Sequence, residues 1–267
     1  MRGLKFMNEN RPTIFISNDD GVGAKGINVL IEFLRPLGNL VVMAPDGPRS
    51  GYACAITTVK NVTYRKVRED EGLSVYSCTG TPCDCVKLGL QELFPERKPD
   101  LMVAGINHGD NSAVNVHYSG TMGGVIEGCL KGVPSIGFSL CDHDLDADFS
   151  PLKDYIVAIT KAVMKNSMPV GTCLNVNFPK AGKFNGIRIC RQAKGDWSDE
   201  WQFVERRPDG EAEFKLKGHF LCGEPEMTDT DKWALDNGFV AITPTTIDMT
   251  AYELFREMRS KWDFEME

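Results

Sequence analysis

Two adjacent carboxylates, Asp19 and Asp20, lie between a short apolar run and a glycine-rich turn. The run over residues 14–16 has the β-branched and aromatic content of a buried strand, and a helical pattern of apolar residues begins at Ile27. A strand, a turn and a helix form the first half of a βαβ unit, and α/β proteins place their chemistry at such turns. We therefore interpret the two carboxylates as part of a site for a metal ion and a phosphate group.

The same turn also matches a dinucleotide-binding fingerprint. Gly21, Gly23 and Gly26 spell G-x-G-x-x-G, and Asp46 lies twenty residues beyond the last glycine, where the fingerprint has its ribose-binding acid. In that fingerprint, backbone N–H groups at the helix start hold a pyrophosphate. Here two carboxylates stand in front of those amides, so a phosphate would need a cation between them. A dinucleotide-dependent oxidoreductase is the alternative hypothesis, while a helix cap would explain one carboxylate but not readily two.

Polar residues also follow two later apolar runs that predict buried parallel strands. Residues 45–51 and 105–111 come after these runs, and both are rich in glycine. In a doubly wound sheet, the loops at the carboxyl ends of the strands cluster at one edge, beside the switch in strand order. The residues predicted to meet there are Asp19, Asp20, Ser50 and Asn107. All four offer oxygen, which suits Mg²⁺ or Mn²⁺ better than zinc, and His108 is a candidate fifth ligand or acid.

The overall composition limits the classes of function. The 267 residues carry a net charge of −7, which argues against binding to a nucleic-acid duplex, because that binding relies on a basic surface. The apolar runs are too short to span a bilayer, and the first residues lack the apolar region of a secretion signal. Nine cysteines without CxxC spacing indicate reduced, mostly buried thiols. We expect a cytoplasmic protein that makes no contact with a membrane.

The order of predicted elements favours an α/β fold with a Rossmann-like, doubly wound and mostly parallel sheet. Thr81 and Pro82 predict the start of a second helix. Residues 1–194 are predicted to form the core with the metal site. Beyond them the chain becomes more polar, and the alternation over residues 197–219 predicts a β-hairpin. Residues 195–267 are therefore predicted to supply a hairpin arm, a returning core strand and a C-terminal helix, used in oligomerisation rather than as an independent domain.

Six stretches, in order and nearly without gaps between residues 16 and 250, resemble one known family. They are ISNDDGVGAKGI, MAPDGPRSGYACAIT, GTPCDCVKLGL, PDLMVAGINHGDN, YSGTMGGVIEG and TDTDKWALDNGFVAITPTTIDMT. At these residues the chain resembles the SurE family, the survival-protein nucleotidases. The resemblance implies a Rossmann-like core and a C-terminal arm exchanged between the subunits of a homodimer or homotetramer. It also implies metal-dependent hydrolysis of nucleoside 5′- or 3′-monophosphates to nucleoside and phosphate.

By position, the family's metal ligands fall on the same four residues that the argument from strand ends brought together. The catalytic residues implied by the resemblance are Asp19 and Asn107, and the substrate-binding residues are Asn18, Ser119, Gly120 and Thr121. Whether the nucleophile is a water molecule or the Asp19 carboxylate stays open. The chain departs from the family at Ala113 and Asn115, where glycine and aspartate are frequent, and the neutral Asn115 bears on substrate preference. A non-catalytic nucleotide or polyphosphate binder on the same scaffold is a third hypothesis.

Overall fold

A sheet of nine strands lies at the centre of the computed structural model, which describes residues 7–166, 168–180 and 182–264. The strands of this sheet are β1 (Thr13–Ser17), β2 (Asn39–Pro45), β3 (Tyr64–Asp70), β4 (Leu73–Cys78), β5 (Leu101–His108), β6 (Ser135–Leu140), β7 (Thr172–Phe178), β8 (Ile187–Ile189) and β13 (Val240–Thr246). The strands of the hairpin arm are β9 (Gly195–Ser198), β10 (Trp201–Arg206), β11 (Ala212–Leu216) and β12 (His219–Cys222). The helices are α1 (Lys25–Leu34), α2 (Pro82–Glu92), α3 (Gly120–Leu130), α4 (Lys153–Lys165), α5 (Asp231–Asp236) and α6 (Tyr252–Lys261). Short 3-10 turns, Ala113–His117 and Ser150–Leu152, precede α3 and α4.

The order of strands in the central sheet is β3-β4-β2-β1-β5-β6-β7-β13-β8. The pairs from β4 to β7 are parallel, whereas β3 and β13 pair antiparallel with β4 and β7. Because β1 pairs with β2 on one side and with β5 on the other, the strand order switches between β1 and β5. Ligands of α/β proteins bind outside the carboxyl ends of the strands at such a switch. The predicted Rossmann-like, mostly parallel sheet is confirmed.

Helices cover both faces of the sheet because its inner strands are apolar on both sides. In β1, Ile14 and Ile16 pack with the residues of α1 and α4, whereas Phe15 packs with those of α2 and α3. The predicted start of α2 is also confirmed. Thr81 is the N-cap, its side chain accepts a hydrogen bond from the Asp84 N–H at 3.1 Å, and the Asp84 carboxylate accepts one from the Thr81 N–H at 2.9 Å. Strand β1, which leads into the turn with the two carboxylates, thus lies between two layers of helices.

The C-terminal part contains the predicted hairpin, in which β9 pairs with β12 and β10 pairs with β11. The returning strand β13 lies inside the central sheet, between β7 and β8. Helix α5 was not predicted, because its six residues are too few to show a helical period. Its N-cap, Thr230, accepts a hydrogen bond from the Trp233 N–H at 3.2 Å. Within the described residues, no helix is both long and apolar enough to cross a bilayer.

The end of β5 differs from the prediction. The strand continues to His108, so Asn107 lies on the strand rather than in a loop. The pairing with β6 shifts between Ala104 and Asn107, which is a β-bulge. Gly105 permits the bulge, because its φ is +124° and a Cβ there would lie 2.3 Å from the carbonyl oxygen of Phe138. The apolar run predicted the first half of this strand, whereas pairing with β6 decides the second half.

Candidate active site

The turn after β1 is held by the side chain of Asn18. Its Nδ2 donates to the carbonyl oxygen of Gly21 at 2.9 Å, and its Oδ1 accepts from the Gly21 N–H at 3.2 Å. Gly21 has a φ of +101°, and a Cβ there would lie 3.1 Å from the Gly47 backbone. The chain therefore turns sharply beside the two carboxylates, as a shared metal ion requires. In this arrangement the Asn18 amide, predicted to bind substrate, is engaged by the turn itself.

Asp19 is almost fully buried, with 3% of its surface exposed. The hydroxyl of Thr121, which lies 102 positions away in the sequence, donates a hydrogen bond to its Oδ1. Burial raises the pKa of the Asp19 carboxyl to about 6; the Thr121 hydrogen bond opposes this rise, and the charge of Asp20 adds to it. The protein thus holds a carboxylate at a place where its charge is costly without a compensating cation.

Asp20 is less buried than its neighbour, and burial raises its pKa as well, against the hydrogen bond from the His108 N–H at 3.4 Å. Within the described residues, no lysine or arginine forms a salt bridge with either carboxylate. Nor does that part of the chain gather three or more His, Cys, Asp or Glu side chains into one metal-binding group. Two neighbouring carboxylates without a cationic partner, next to neutral oxygen donors, fit a hard divalent cation such as Mg²⁺ or Mn²⁺.

The two neutral candidate ligands come from the ends of β2 and β5. Arg49, in the loop after β2, donates its N–H to the Asp19 carbonyl oxygen at 2.6 Å, so the exposed Ser50 directly follows a residue bonded to the carboxylate turn. Asn107 is 8% exposed, and its Nδ2 donates to the Gly109 carbonyl oxygen at 3.0 Å. Its Oδ1 accepts no hydrogen bond within the described chain, which leaves that oxygen for a cation. The four predicted ligands therefore lie along one edge of the sheet.

The N-terminus of α3 packs directly against Asp19. Ser119 is the N-cap of this helix, and its Oγ accepts a hydrogen bond from the Met122 N–H at 3.0 Å. A Cβ on Gly120 would lie 2.8 Å from the Asp19 Cβ, so only glycine allows this approach. A helix N-terminus offers unpaired N–H groups and the positive end of the helix dipole, which suit a phosphate group. The predicted phosphate-contacting segment, Ser119 to Thr121, thus lies beside the predicted metal ligands.

The glycine-rich turn is poorly placed to hold a pyrophosphate. The N–H groups of Gly21, Val22 and Ala24 all donate within the turn or to the end of β2. Asp46, the candidate ribose acid, forms a salt bridge with Arg49 at 2.8 Å. These amides and this carboxylate are therefore already bound within the chain, which argues against the dinucleotide alternative.

His108 has both a backbone and a ring contact at this edge. In addition to the backbone hydrogen bond to Asp20, its Nδ1 lies 3.0 Å from the Asp144 carbonyl oxygen, and its ring packs edge-on against Phe149. Because a carbonyl oxygen can only accept, this contact assigns a proton to Nδ1. The other ring nitrogen, Nε2, is the atom that could serve as a ligand or as an acid.

Asp231 was not singled out from the sequence, although it contacts the segment before α3. It is 1% exposed, its Oδ2 accepts from the Ala113 N–H at 2.9 Å, and its Oδ1 accepts from the Ala193 N–H at 2.9 Å. Burial raises the pKa of this carboxyl, and the hydrogen bonds from the backbone oppose the rise. Its position after Thr230 indicates only an acid in the first turn of a helix, and the contact with Ala113 spans 118 positions.

Comparison with known proteins identifies the family. The family model of the survival protein SurE matches residues 14–199. The 5′-nucleotidase SurE of Bacteroides fragilis is 57% identical over 257 residues, covering 96% of this chain and all of the relative, and that of Phocaeicola vulgatus is 56% identical over 260 residues. The crystal structure of the SurE protein from Aquifex aeolicus matches with a TM-score of 0.80 at 35% identity, covering 93% of this chain and 98% of that chain. The family model matches more than half of the chain, and the Bacteroides fragilis relative is 57% identical along almost its whole length, so the chain belongs to the SurE family.

Proposed function

We propose that the chain is a divalent-metal-dependent phosphomonoesterase, which hydrolyses nucleoside 5′-monophosphates, and also 3′-monophosphates, to nucleoside and phosphate. The observation that carries the proposal is the contact between Asp19, the first of the two adjacent carboxylates, and the N-terminus of α3. The carboxylates suit a divalent cation, and the helix N-terminus suits a phosphate group. The curated relatives bear the name 5′-nucleotidase SurE, which supports the substrate class.

Asp19, Asp20, Ser50 and Asn107 would hold Mg²⁺ or Mn²⁺. When bound, such an ion supplies a Lewis acid for a phosphoryl oxygen and offsets the charge on the leaving oxygen. The Thr121 hydroxyl holds the Asp19 carboxylate in one orientation. The N–H groups at the start of α3, other than the Met122 N–H that the Ser119 Oγ accepts, would donate to the phosphate oxygens, with Ser119 and Gly120 shaping that end of the helix. Asp19 and Asn107 are the proposed catalytic residues, and the nucleophile is either water or the Asp19 carboxylate.

We also propose that residues 195–267 join copies of the chain into a homodimer or homotetramer. Several large apolar side chains of β10 and β11 are more than half exposed: Trp201 at 66%, Phe203 at 53%, Phe214 at 51% and Leu216 at 63%. None of the residues of α6 is buried. Exposed apolar faces of this kind mark protein–protein contacts, and a second copy of the chain presents the same face.

Cysteine usage and net charge support a proposal for the compartment and for the class of partner. All nine cysteines are free thiols, which supports a reducing compartment, and we propose the cytoplasm. The net charge of −7 favours a small substrate held by a local cation over a nucleic-acid duplex. The proposed partner is therefore a nucleoside monophosphate or another small phosphomonoester.

Release of inorganic phosphate from 5′-AMP and 3′-AMP tests the proposal, with Mg²⁺ and Mn²⁺ supplied in turn. We expect release with at least one of these ions, its loss on addition of EDTA, and its return when the ion is restored in excess. Tight NAD(H) binding by calorimetry, with no phosphate release in any metal, would support the oxidoreductase instead. Binding of AMP or polyphosphate without turnover would identify a non-catalytic binder.

A further inference from the structure

The 3-10 turn Ala113–His117 leads, through a single residue, into the N-cap of α3. This turn begins in a strained conformation, since Ala113 has a φ of +48°, a region that side chains other than glycine rarely adopt. A strained segment persists only where its surroundings hold it in place. The contacts that hold this turn therefore also set the direction in which α3 begins.

Two of these contacts come from residues far along the chain, beyond the parallel part of the sheet. The indole Nε1–H of Trp197, on β9, donates to the Asn115 Oδ1 at 2.8 Å. The Asp231 carboxylate accepts the Ala113 N–H at 2.9 Å. Asn115 uses the other end of its amide as well, because its Nδ2 donates to the Asp110 carbonyl oxygen at 3.3 Å. The Asn115 amide thus connects β9 to the loop that follows β5.

This double use explains why a neutral amide stands at position 115. A carboxylate there would still accept the Trp197 N–H, but it would face the Asp110 carbonyl oxygen without a proton to donate. The side chain of Asn115 is thereby engaged by the protein at both ends. In this structure the departure from the family's frequent aspartate serves a contact within the chain.

From these contacts we infer that Trp197 is a positioning residue for the phosphate-binding end of α3. Its N–H holds Asn115, Asn115 holds the 3-10 turn, and the turn sets the position of Ser119 and of the helix N–H groups behind it. Trp197 touches no reacting atom. The inference rests on the proposed function and adds to it a link between the base of the hairpin arm and the site.

Loss of this link has a specific kinetic consequence. The N–H groups at the start of α3 contact phosphate oxygens in the bound substrate and in the transition state alike. A displaced helix end therefore weakens the binding of the substrate and of the transition state to a similar extent. This raises KM and leaves kcat nearly unchanged. A neutral hydrogen bond of this kind corresponds to about a fivefold change in an equilibrium constant.

The test is Trp197→Phe, which removes the N–H and keeps a ring that can pack against Phe220, now at 6.3 Å between ring centroids. We expect KM for 5′-AMP and the Kd for inorganic phosphate, measured by calorimetry with Mg²⁺, to rise about fivefold, with kcat within about twofold. Trp201→Phe, the same change at a position that is 66% exposed on β10, is the matched control and should change none of these values. Light scattering checks that both variants keep the assembly of the parent protein.

A double mutant separates an effect that passes through the Trp197–Asn115 hydrogen bond from a general loss of structure. Asn115→Ala removes the acceptor, so its effect on KM should not add to that of Trp197→Phe. If the two effects add fully, or if Trp197→Phe leaves KM and the phosphate Kd unchanged, the inference is wrong while the proposed function stands. If the parent protein releases no phosphate from AMP, the proposed function fails, and the phosphate Kd of the two single variants still decides the positioning role. Should Trp197→Phe not fold, Asn115→Ala removes the acceptor of the Trp197 N–H together with the bond to Asp110, and an unchanged KM and phosphate Kd in that variant would overturn the inference.

Discussion

Replacing Asp19 by Asn should stabilise the metal-free protein and lower the activity measured with metal. In the folded chain the pKa of Asp19 is raised from 3.8 to about 6, chiefly by burial. A raised pKa in an acid means that the folded protein binds the proton more tightly than the unfolded chain. The contribution of this group to stability is therefore fully present below the unfolded pKa and is lost as pH rises through the folded pKa. The shift corresponds to roughly 3 kcal/mol.

Asn at this position has no charge to bury, and its Oδ1 can still accept the Thr121 hydroxyl. At about pH 7.5, in EDTA, we expect Asp19→Asn to raise the free energy of unfolding by up to roughly 3 kcal/mol, and by about half as much at about pH 5. With saturating Mn²⁺ the parent protein should instead be the more stable of the two, because an ion that binds only the folded parent protein stabilises it by mass action. Urea unfolding at the two pH values, with and without the ion, measures the free energy of unfolding of both proteins under all four conditions.

Asp20→Asn completes this comparison. If both carboxylates are metal ligands, each change should weaken metal binding, and excess metal should restore part of the rate. If Asp19 is the nucleophile, Asp19→Asn should be inactive even at saturating metal, whereas Asp20→Asn should be rescued. Lower stability of metal-free Asp19→Asn at about pH 7.5 would contradict the buried charge. If neither change alters the rate or the metal dependence, the two residues have only a structural role in the turn.

Three further measurements test other parts of the site and the arm. Gly120→Ala places a Cβ 2.8 Å from the Asp19 Cβ and should lower kcat/KM by about a hundredfold. Gly23→Ala is the control, because a Cβ there has nothing within 4 Å, and it should be tolerated. A strong loss in the Gly23 variant would contradict the open space around a Cβ at that position. The exposed Cys54 has its pKa lowered to about 7, mainly by the thiol of Cys83. Iodoacetamide at neutral pH should therefore label it before the other cysteines, with a rate that rises through about pH 7, and peptide mass spectrometry that finds another site labelled first would refute this. Phe214→Asp puts a charge on the exposed face of β11 and should reduce the assembly to smaller species by light scattering; an already monomeric parent protein would contradict the proposed interface.

Local pattern was sufficient to predict most elements that carry the site. The apolar run before Asp19, the glycine-rich turn after it and the capping residues at Thr81 are short-range signals, and the structure places a strand, a turn and a helix N-terminus at these points. The rule for parallel sheets then predicted that the ends of different strands meet at one edge. This worked for Asn107 even though its segment proved to be strand, because the carboxyl end of β5 lies beside that of β1 in either case.

The state of the site residues depends on contacts that no local pattern contains. The Thr121 hydroxyl meets Asp19 across 102 positions, Trp197 meets Asn115 across 82, and Asp231 meets Ala113 across 118. Sequence alone determined which residue types could bind a metal and a phosphate, and in which strand–turn–helix units they stand. Tertiary packing decided how deeply the Asp19 carboxylate is buried, and hence its pKa, because the cost of a charge depends on everything that excludes water around it.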